Sequence, residues 1–291
     1  MADLKKAVPD NIEGDFFVDT TCINCDTCRQ LAPKVFADQG DYSFVFFQPE
    51  KQTDVRAATR ALLCCPTGSI GTRAPNQAKS VLGDLPLLID DDVFYCGFNS
   101  PKSYGGNSFF IAHPDGNWLI DSPKYLPHLV SRFESLGGLK YIFLTHQDDV
   151  AEAAKYATKF SAKRIIHRFE LSAQPDAEII IDGLDPIQFA PDFFILPVPG
   201  HTKGHMVLIY RSKFLFSGDH LSYRPESSEL SASRSYCWYS WAEQIESMKK
   251  LADYDFEWVL AGHGNRTNMP KEQMHAQMVN LIERMKLPEN E

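Results

Sequence analysis

Pro199-Gly200-His201-Thr202-Lys203-Gly204-His205 and Phe214-Leu215-Phe216-Ser217-Gly218-Asp219-His220 set two polar turns against runs of strand-forming residues. Val207-Leu208-Ile209-Tyr210 and Phe214-Leu215-Phe216 flank the polar Arg211-Ser212-Lys213, a pattern that predicts a β-hairpin. On such a hairpin His201 and Asp219 fall at neighbouring strand ends. An imidazole and a carboxylate meeting there are donors that zinc or a non-haem iron accepts. Taken singly, each residue reads better as a turn histidine or a capping aspartate. Gly200 and Gly218, on the leading side of both, let backbone come close and favour the metal reading.

Working outward, strand-like runs repeatedly end in a polar residue. Tyr141-Ile142-Phe143-Leu144 leads into Thr145-His146-Gln147-Asp148-Asp149-Val150, and a strand over 257–261 ends in Gly262-His263-Gly264. Phe109-Phe110-Ile111 and Trp118-Leu119-Ile120 are further β-prone runs, joined by the Pro114-Asp115-Gly116 turn. Leu126, Leu129, Val130 and Phe133 form one face of a helix over 125–136, ended by Gly137-Gly138. A helix over 151–160 and a strand over 163–167 follow. Ser240-Trp241-Ala242-Glu243 is a capping-box signal for a helix burying Trp241, Ile245, Met248 and Leu251, and a last amphipathic helix spans 271–285. The aromatic run around Tyr236, Cys237, Trp238 and Tyr239 reads as core, His167 as a structural histidine, and Cys96 and Cys237 as buried thiols.

The N-terminal part has a different character. Cys22-Ile23-Asn24-Cys25-Asp26-Thr27-Cys28 is a C-x2-C-x2-C run, answered by Cys65-Pro66-Thr67-Gly68. Three thiolates on one tight loop can hold three corners of a cuboidal cluster, while the fourth arrives from a distant segment. Cys25 in the middle position argues for four irons, and with no second C-x2-C-x2-C beside Cys64-Cys65 a single cluster is expected. A zinc knuckle would normally show two separated C-x2-C pairs. Ser43-Phe44-Val45-Phe46-Phe47 reads as a strand. Residues 53–63 read as a helix with Thr53 as N-cap, whose end delivers Cys64, a packing thiol, and the ligand Cys65. The polar stretch 71–83, with Pro75, Asn76 and Gln77, reads as a linker.

With 291 residues, 44% of them hydrophobic, the chain can bury a sizeable core. A formal net charge of -9 with no long basic run argues against nucleic acid and anionic membranes as partners. The N-terminus lacks a secretory apolar region, and no spanning run of about twenty apolar residues occurs. A cytoplasmic protein is the expectation, or one of the plastid stroma in a photosynthetic eukaryote. Seven cysteines, five of them between Cys22 and Cys65, speak for a soft-metal site rather than a disulfide framework.

Residues 15–72, with the Cys-Pro-Thr-Gly turn, resemble single-cluster bacterial-type ferredoxins, which implies one [4Fe-4S] cluster on Cys22, Cys25, Cys28 and Cys65 and one-electron transfer. The constellation His146, His201, Asp219 and His263 resembles the metallo-β-lactamase fold family, in particular hydrolases of the glyoxalase II type. The motifs are Thr145-His146, Gly200-His201-Thr202-x-Gly204-His205, Gly218-Asp219 and Gly262-His263-Gly264, with Asp121 as the supporting acid. The resemblance implies an α/β architecture: a ferredoxin-like α+β domain (1–72), a linker (73–84) and an αββα sandwich of two sheets flanked by helices (85–291). It assigns His146 and His201 to a first metal, Asp219 as bridge and catalytic acid-base group, His263 to a second metal, and His205 to a supporting or substrate-contacting place.

One motif departs from the family. Where the family has His-x-His-x-Asp-His, this chain reads His146-Gln147-Asp148-Asp149-Val150-Ala151, so two ligands of the second metal are gone. Asp148 makes the motif His-x-Asp, similar to the His-x-Glu of flavodiiron proteins, and a slipped register would recruit Asp149 or Glu152. Fused ferredoxin and metallo-β-lactamase-like proteins of photosynthetic organisms and other bacteria are a closer resemblance, carried by the His146-x-Asp148-Asp149-Val150 variant and Cys237-Trp238-Tyr239-Ser240-Trp241. One metal, a carboxylate-rich pair, or none are the open outcomes, with zinc or iron as the candidates. Three functions follow as expectations. The first is a hydrolase of an ester- or thioester-like small molecule, under redox control in one version. The second is a redox enzyme fed by the cluster, and the third a non-catalytic protein with a vestigial site. The expected partners are an electron donor or acceptor protein for the cluster and a small-molecule substrate.

Overall fold

The computed structural model describes residues 2–74 and 77–288. Pro75 and Asn76 of the expected linker lie outside the described residues. By density of backbone contacts the chain forms two compact units, Met1–Asn117 with Ser122–Gly138, and Trp118–Asp121 with Leu139–Glu291.

In the first unit, β1 (Phe16–Val18) pairs antiparallel with β4 (Ile70–Thr72), and β2 (Phe36–Asp38) with β3 (Ser43–Val45). Phe16, Val18, Val35, Phe36, Val45, Ala58 and Ala61 make its core, packing the short helix α1 (Thr27–Leu31) and α2 (Gln52–Cys64) on these ribbons. β3 stops short of the expected run, and Phe46 and Phe47 are exposed. α2 begins at Gln52, because Lys51 O already accepts the amides of Asp54 and Val55; Lys51, not Thr53, is its N-cap. The 3₁₀ segment Gln77–Asp84 ends on Asp84, gripped by Arg56 and Arg60 of α2. A three-stranded antiparallel ribbon, β5 (Leu87–Asp90), β6 (Val93–Tyr95) and β7 (Phe109–Ile111), and helix α3 (Pro127–Ser135) complete the unit. Phe133 of α3 stacks on Phe110 at 5.1 Å, and Gly137 and Gly138 leave the helix with positive φ, as the pattern predicts.

The second unit is a sandwich. One layer is parallel: β8 (Trp118–Ile120), β9 (Tyr141–Phe143), β10 (Lys163–His167) and β11 (Ile179–Ile181). The other runs β12 (Ile187–Ala190), β13 (Phe193–Pro197), β14 (Met206–Tyr210) and β15 (Phe214–Gly218) as an antiparallel meander; a small ribbon, β16 (Ser222–Arg224) with β17 (Glu229–Ser231), stands apart, and the layer closes with β18 (Trp258–Ala261) and β19 (Thr267–Asn268). The anticipated hairpin is β14–β15, and every residue of both strands is buried, which explains their unbroken apolar sequence. Trp118 of β8 stacks on Phe193 of β13 at 4.1 Å, tying the layers together. Helix α4 (Ala153–Phe160) packs on β10, while α5 (Trp241–Leu251) and α6 (Lys271–Met285) cover the other layer through Met248, Leu251, Met274, Met278 and Leu281. Ser240 Oγ accepts the Glu243 amide, as the capping signal requires.

Around residues 236–239 the structure corrects the sequence reading. Tyr236, Trp238 and Tyr239 are exposed, Trp238 by 63%, and Cys237 is half-buried. Trp238 N and Tyr239 N both donate to His201 O, and Ser240 N to Gly200 O. The segment is therefore pinned across the 200–201 turn, outside both sheets, and its aromatic rings face outward.

Candidate metal centres

The cysteine loop is shaped by two residues in the left-handed region, Asn24 (φ 53°) and Asp26 (φ 62°), which coil the chain so that Cys22, Cys25 and Cys28 turn inward. Asn24 pays for that conformation by donating to Gly40 O at 2.7 Å. Cys65 is the C-cap of α2, so the fourth thiol is delivered by the helix end. All four line one cavity with Val18, Ile23 and Ile70. Backbone amides point at two of the sulfurs, Ser43 N to Cys22 at 3.5 Å and Ser69 N to Cys65 at 3.3 Å. Burial pushes the Cys25 thiol up to about 11, so it becomes a ligand only when metal displaces its proton. Four inward thiols around an apolar hollow, with amide donors to sulfur, fit a cuboidal iron-sulfur cluster. Cys64 is fully buried with its thiol also raised to about 11, an inert packing group.

In the sandwich, the polar strand ends do converge. His146 follows β9, His201 the turn after β13, Asp219 the end of β15, and His263 the end of β18. Two glycines make the approach feasible. At Gly218 (φ 51°) a Cβ would sit 2.7 Å from His205 Nε2 and 2.8 Å from Thr145 Cβ; at Gly262 it would sit 2.8 Å from both Asp149 Oδ2 and Asp219 Oδ1. A bulge in the β15–β18 pairing at Gly218 precedes Asp219.

Two sets of three donor atoms lie within 4.8 Å of one another, His146 with Asp148 and His201, and His146 with Asp149 and Asp219. His146 Nε2 is 3.7 Å from both Asp148 Oδ2 and Asp219 Oδ2, and His201 Nε2 is 3.6 Å from Asp219 Oδ2. Neither ring nitrogen has a hydrogen-bond partner although both are buried, and both oxygens of Asp149 are in the same condition. Buried polar atoms are almost always satisfied, so three residues with unspent buried donors, His146, His201 and Asp149, gathered beside Asp148 and Asp219, fit a bound cation. Asp121 accepts Thr145 N at 2.9 Å and Thr145 Oγ1 at 3.0 Å, and Thr145 Oγ1 is 3.0 Å from His146 Nδ1. That chain holds the His146 ring with Nε2 facing the site.

His263 is placed differently. Its Nδ1 lies 2.8 and 2.9 Å from the two Asp219 oxygens, and it joins neither donor set. His205 is fully buried beside His146, its Nε2 accepting the Asp219 amide at 3.3 Å. Asp148 stands at the open side with its side chain 48% exposed. Asp149 is the ligand candidate that motif matching leaves aside, and the structure brings it in: the 3₁₀ turn Gln147–Asp149 directs Asp148 and Asp149 to the two sets in succession. Two adjacent carboxylates after the motif histidine are the sequence signal for it. Glu152, weighed with it, pairs with Lys155 at 2.7 Å.

The electrostatics separate these groups. Burial raises Asp219, but His263, His146 and His201 outweigh it and hold the carboxyl well below the usual range. Burial, with Asp219 adding to it, pushes Asp149 well up, and burial lifts Asp121 to about 8. Burial lowers His146 to about 4 and keeps His205 neutral far below its ordinary value. The His201 ring, 3.9 Å away, lowers Asp148 against burial. Neutral imidazoles and ionised Asp219 and Asp148 are the states a divalent cation requires.

Comparison with known proteins agrees with both halves. Residues 18–72 match the family described as the 4Fe-4S single cluster domain of Ferredoxin I. No curated protein sequence matches the chain significantly. Among solved structures, the B3 metallo-beta-lactamase BLEG-1 is 16% identical, with 67% of this chain and 100% of that chain covered at a TM-score of 0.51. The metallo-beta-lactamase DIM-1 is 16% identical over 68% of this chain and 95% of its own, also at 0.51. TMB-1 is 19% identical over 68% and 96%, at 0.51. At such identities the likeness speaks for the fold alone. The chain is a fusion of a single-cluster 4Fe-4S ferredoxin-type domain with a domain of the metallo-β-lactamase fold.

Proposed function

We propose that the sandwich is a metal-dependent hydrolase acting on an ester- or thioester-type carbonyl, and that the cluster domain exchanges single electrons with a protein partner. The observation that carries this reading is the set of unsatisfied, buried donors of His146, His201 and Asp149 facing Asp148 and Asp219. A bound divalent metal would lower the pKa of a water and polarise the carbonyl. The chain's own groups do the rest. Asp219, kept ionised by His263, would help hold the metal, and Asp148, the carboxylate open to solvent, is placed to accept a proton from a water there. Asp121 and Thr145 keep the His146 ring in place, while His205 holds the Asp219 backbone from behind the site. Trp238, with its ring 6.3 Å from that of His201, offers an apolar wall for the acyl part of a substrate.

The test is turnover of a panel of esters and thioesters by protein loaded with zinc, manganese or iron. Metal-dependent hydrolysis abolished in His201→Ala supports the proposal, and hydrolysis undiminished in that variant sinks it. The second reading, a redox enzyme, is favoured by the three carboxylates beside two histidines, an oxygen-rich set suited to iron. Metal analysis after anaerobic purification separates the two, since iron beyond one cluster per chain supports redox chemistry and zinc supports hydrolysis.

A further inference from the structure

Residues that lie beyond the 18–72 segment matched to the ferredoxin family also pack against the residues that line the cluster cavity. Gly105 (φ 89°) approaches Cys25 so closely that an added Cβ would sit 2.7 Å from Cys25 Cβ and 3.0 Å from its Sγ. Its loop is fixed by Asn99, which is fully buried. Asn99 Nδ2 donates to Gly105 O at 2.6 Å and reaches Thr27 Oγ1 at 3.2 Å, and its Oδ1 accepts the Tyr95 hydroxyl at 2.6 Å. Thr27 Oγ1 lies in turn 3.5 Å from Cys25 Sγ. Lys124, part-buried, donates its ammonium to Cys65 O at 3.1 Å and is anchored by its own amide on Phe98 O. Every one of these groups belongs to the first compact unit.

We infer that this loop and Lys124 set the reduction potential of the cluster on Cys22, Cys25, Cys28 and Cys65, acting in opposite directions. The inference rests on the cluster assignment and is independent of the reaction in the sandwich. One electron from a low-potential donor protein adds one negative charge to a group already anionic through its four thiolates, with no proton taken up. A fixed ammonium on the carbonyl of a ligand favours that added charge and raises the potential. The Gly105 backbone packed against the part-buried Cys25 limits the water that reaches it, disfavours the added charge and lowers the potential. Lys124 is thus a positioning residue for electron transfer, supplied by the segment that leads into the sandwich.

Full-length protein reconstituted anaerobically and titrated with dithionite, with the reduced cluster followed by paramagnetic resonance, tests this. Lys124→Gln is expected to lower the reduction equilibrium constant about tenfold, ~59 mV for one electron, while Lys124→Arg stays near wild type. Gly105→Ala is expected to shift the potential upward and to speed iron release to a chelator. A wild-type potential in Lys124→Gln overturns the inference, as does Lys124→Arg shifted as far as Lys124→Gln, which marks a purely structural role. If Lys124→Gln loses its iron, Gly105→Ala decides: wild-type potential and wild-type iron release in that variant overturn the inference.

Discussion

Replacing Asp149 by alanine should reverse the sign of its effect on stability between metal-free and metal-loaded protein. The side chain is buried and both carboxylate oxygens lack a hydrogen-bond partner. Leaving a buried polar group unsatisfied costs about 1–3 kcal/mol, and alanine removes the group without opening an apolar cavity. Repulsion from Asp219, Asp121 and Asp148, which helps push the Asp149 carboxyl up, disappears with it. The metal-free variant should therefore be more stable by about 1–2 kcal/mol, a rise in Tm of roughly 2–8 °C for a unit of this size. Metal should help it less. Losing a ligand costs at least the roughly 100-fold in affinity seen for supporting groups. At a metal concentration about 1,000 times the wild-type Kd, the stabilisation then falls from about 4.1 to about 1.4 kcal/mol. Thermal unfolding with and without zinc, beside calorimetric titration of the metal, measures both effects. A metal-free variant less stable than wild type, or an unchanged metal-induced shift in Tm, refutes Asp149 as a ligand.

Further expectations concern pH, local space and substrate. In metal-free protein, His146 and His220, lowered by burial to about 4 and about 3, take up protons only in the unfolded chain below pH 6.5, so their contribution is full above that pH and lost as pH falls toward 4. Asp121, raised by burial from 3.8 to about 8, is protonated in the fold where the unfolded chain is ionised, so its contribution is lost as pH rises from about 3.8 to 8, and this loss outweighs the gain from the histidines above pH 6.5. Denaturant midpoints across pH 5 to 8 should thus peak near 6.5, and Asp121→Asn should flatten the alkaline side. Gly218→Ala places a methyl against His205 and Thr145 at a left-handed φ; it should cost about 1–3 kcal/mol in a urea titration and weaken metal binding. Trp238→Ala, which removes an exposed ring, should raise KM several-fold with kcat and unfolding midpoint unchanged; an equal loss in kcat would place that ring in the chemistry instead.

Much of the architecture is legible locally. The β14–β15 hairpin follows from two apolar runs around Arg211-Ser212-Lys213, and α6 from an amphipathic period whose ends match Lys271–Met285. α3, β10 and the Ser240 cap are equally local signals. The aromatic run at 236–239 misleads because hydrophobicity predicts burial only when backbone geometry brings the residue to a core, and here the amides are taken by His201 O. The start of α2 at Gln52 escapes because backbone acceptance by Lys51 needs no capping side chain.

By itself, then, the sequence determines which four cysteines can meet, since three thiols at fixed spacing on one loop are a local statement completed by Cys-Pro at a helix end. It also determines that histidines and aspartates stand at strand ends, because strand period and turn residues are local too. Which of those groups meet is a matter of tertiary structure alone. The 3₁₀ turn brings Asp149 into the second donor set, sheet order puts His263 on Asp219 instead of in either set, and His205 is buried behind His146. The same holds at the cluster, where Gly105 and Lys124 reach Cys25 and Cys65 across gaps of 80 and 59 residues in sequence. Distances across such separations are set by how layers pack and where glycine leaves room, and no window of sequence contains them.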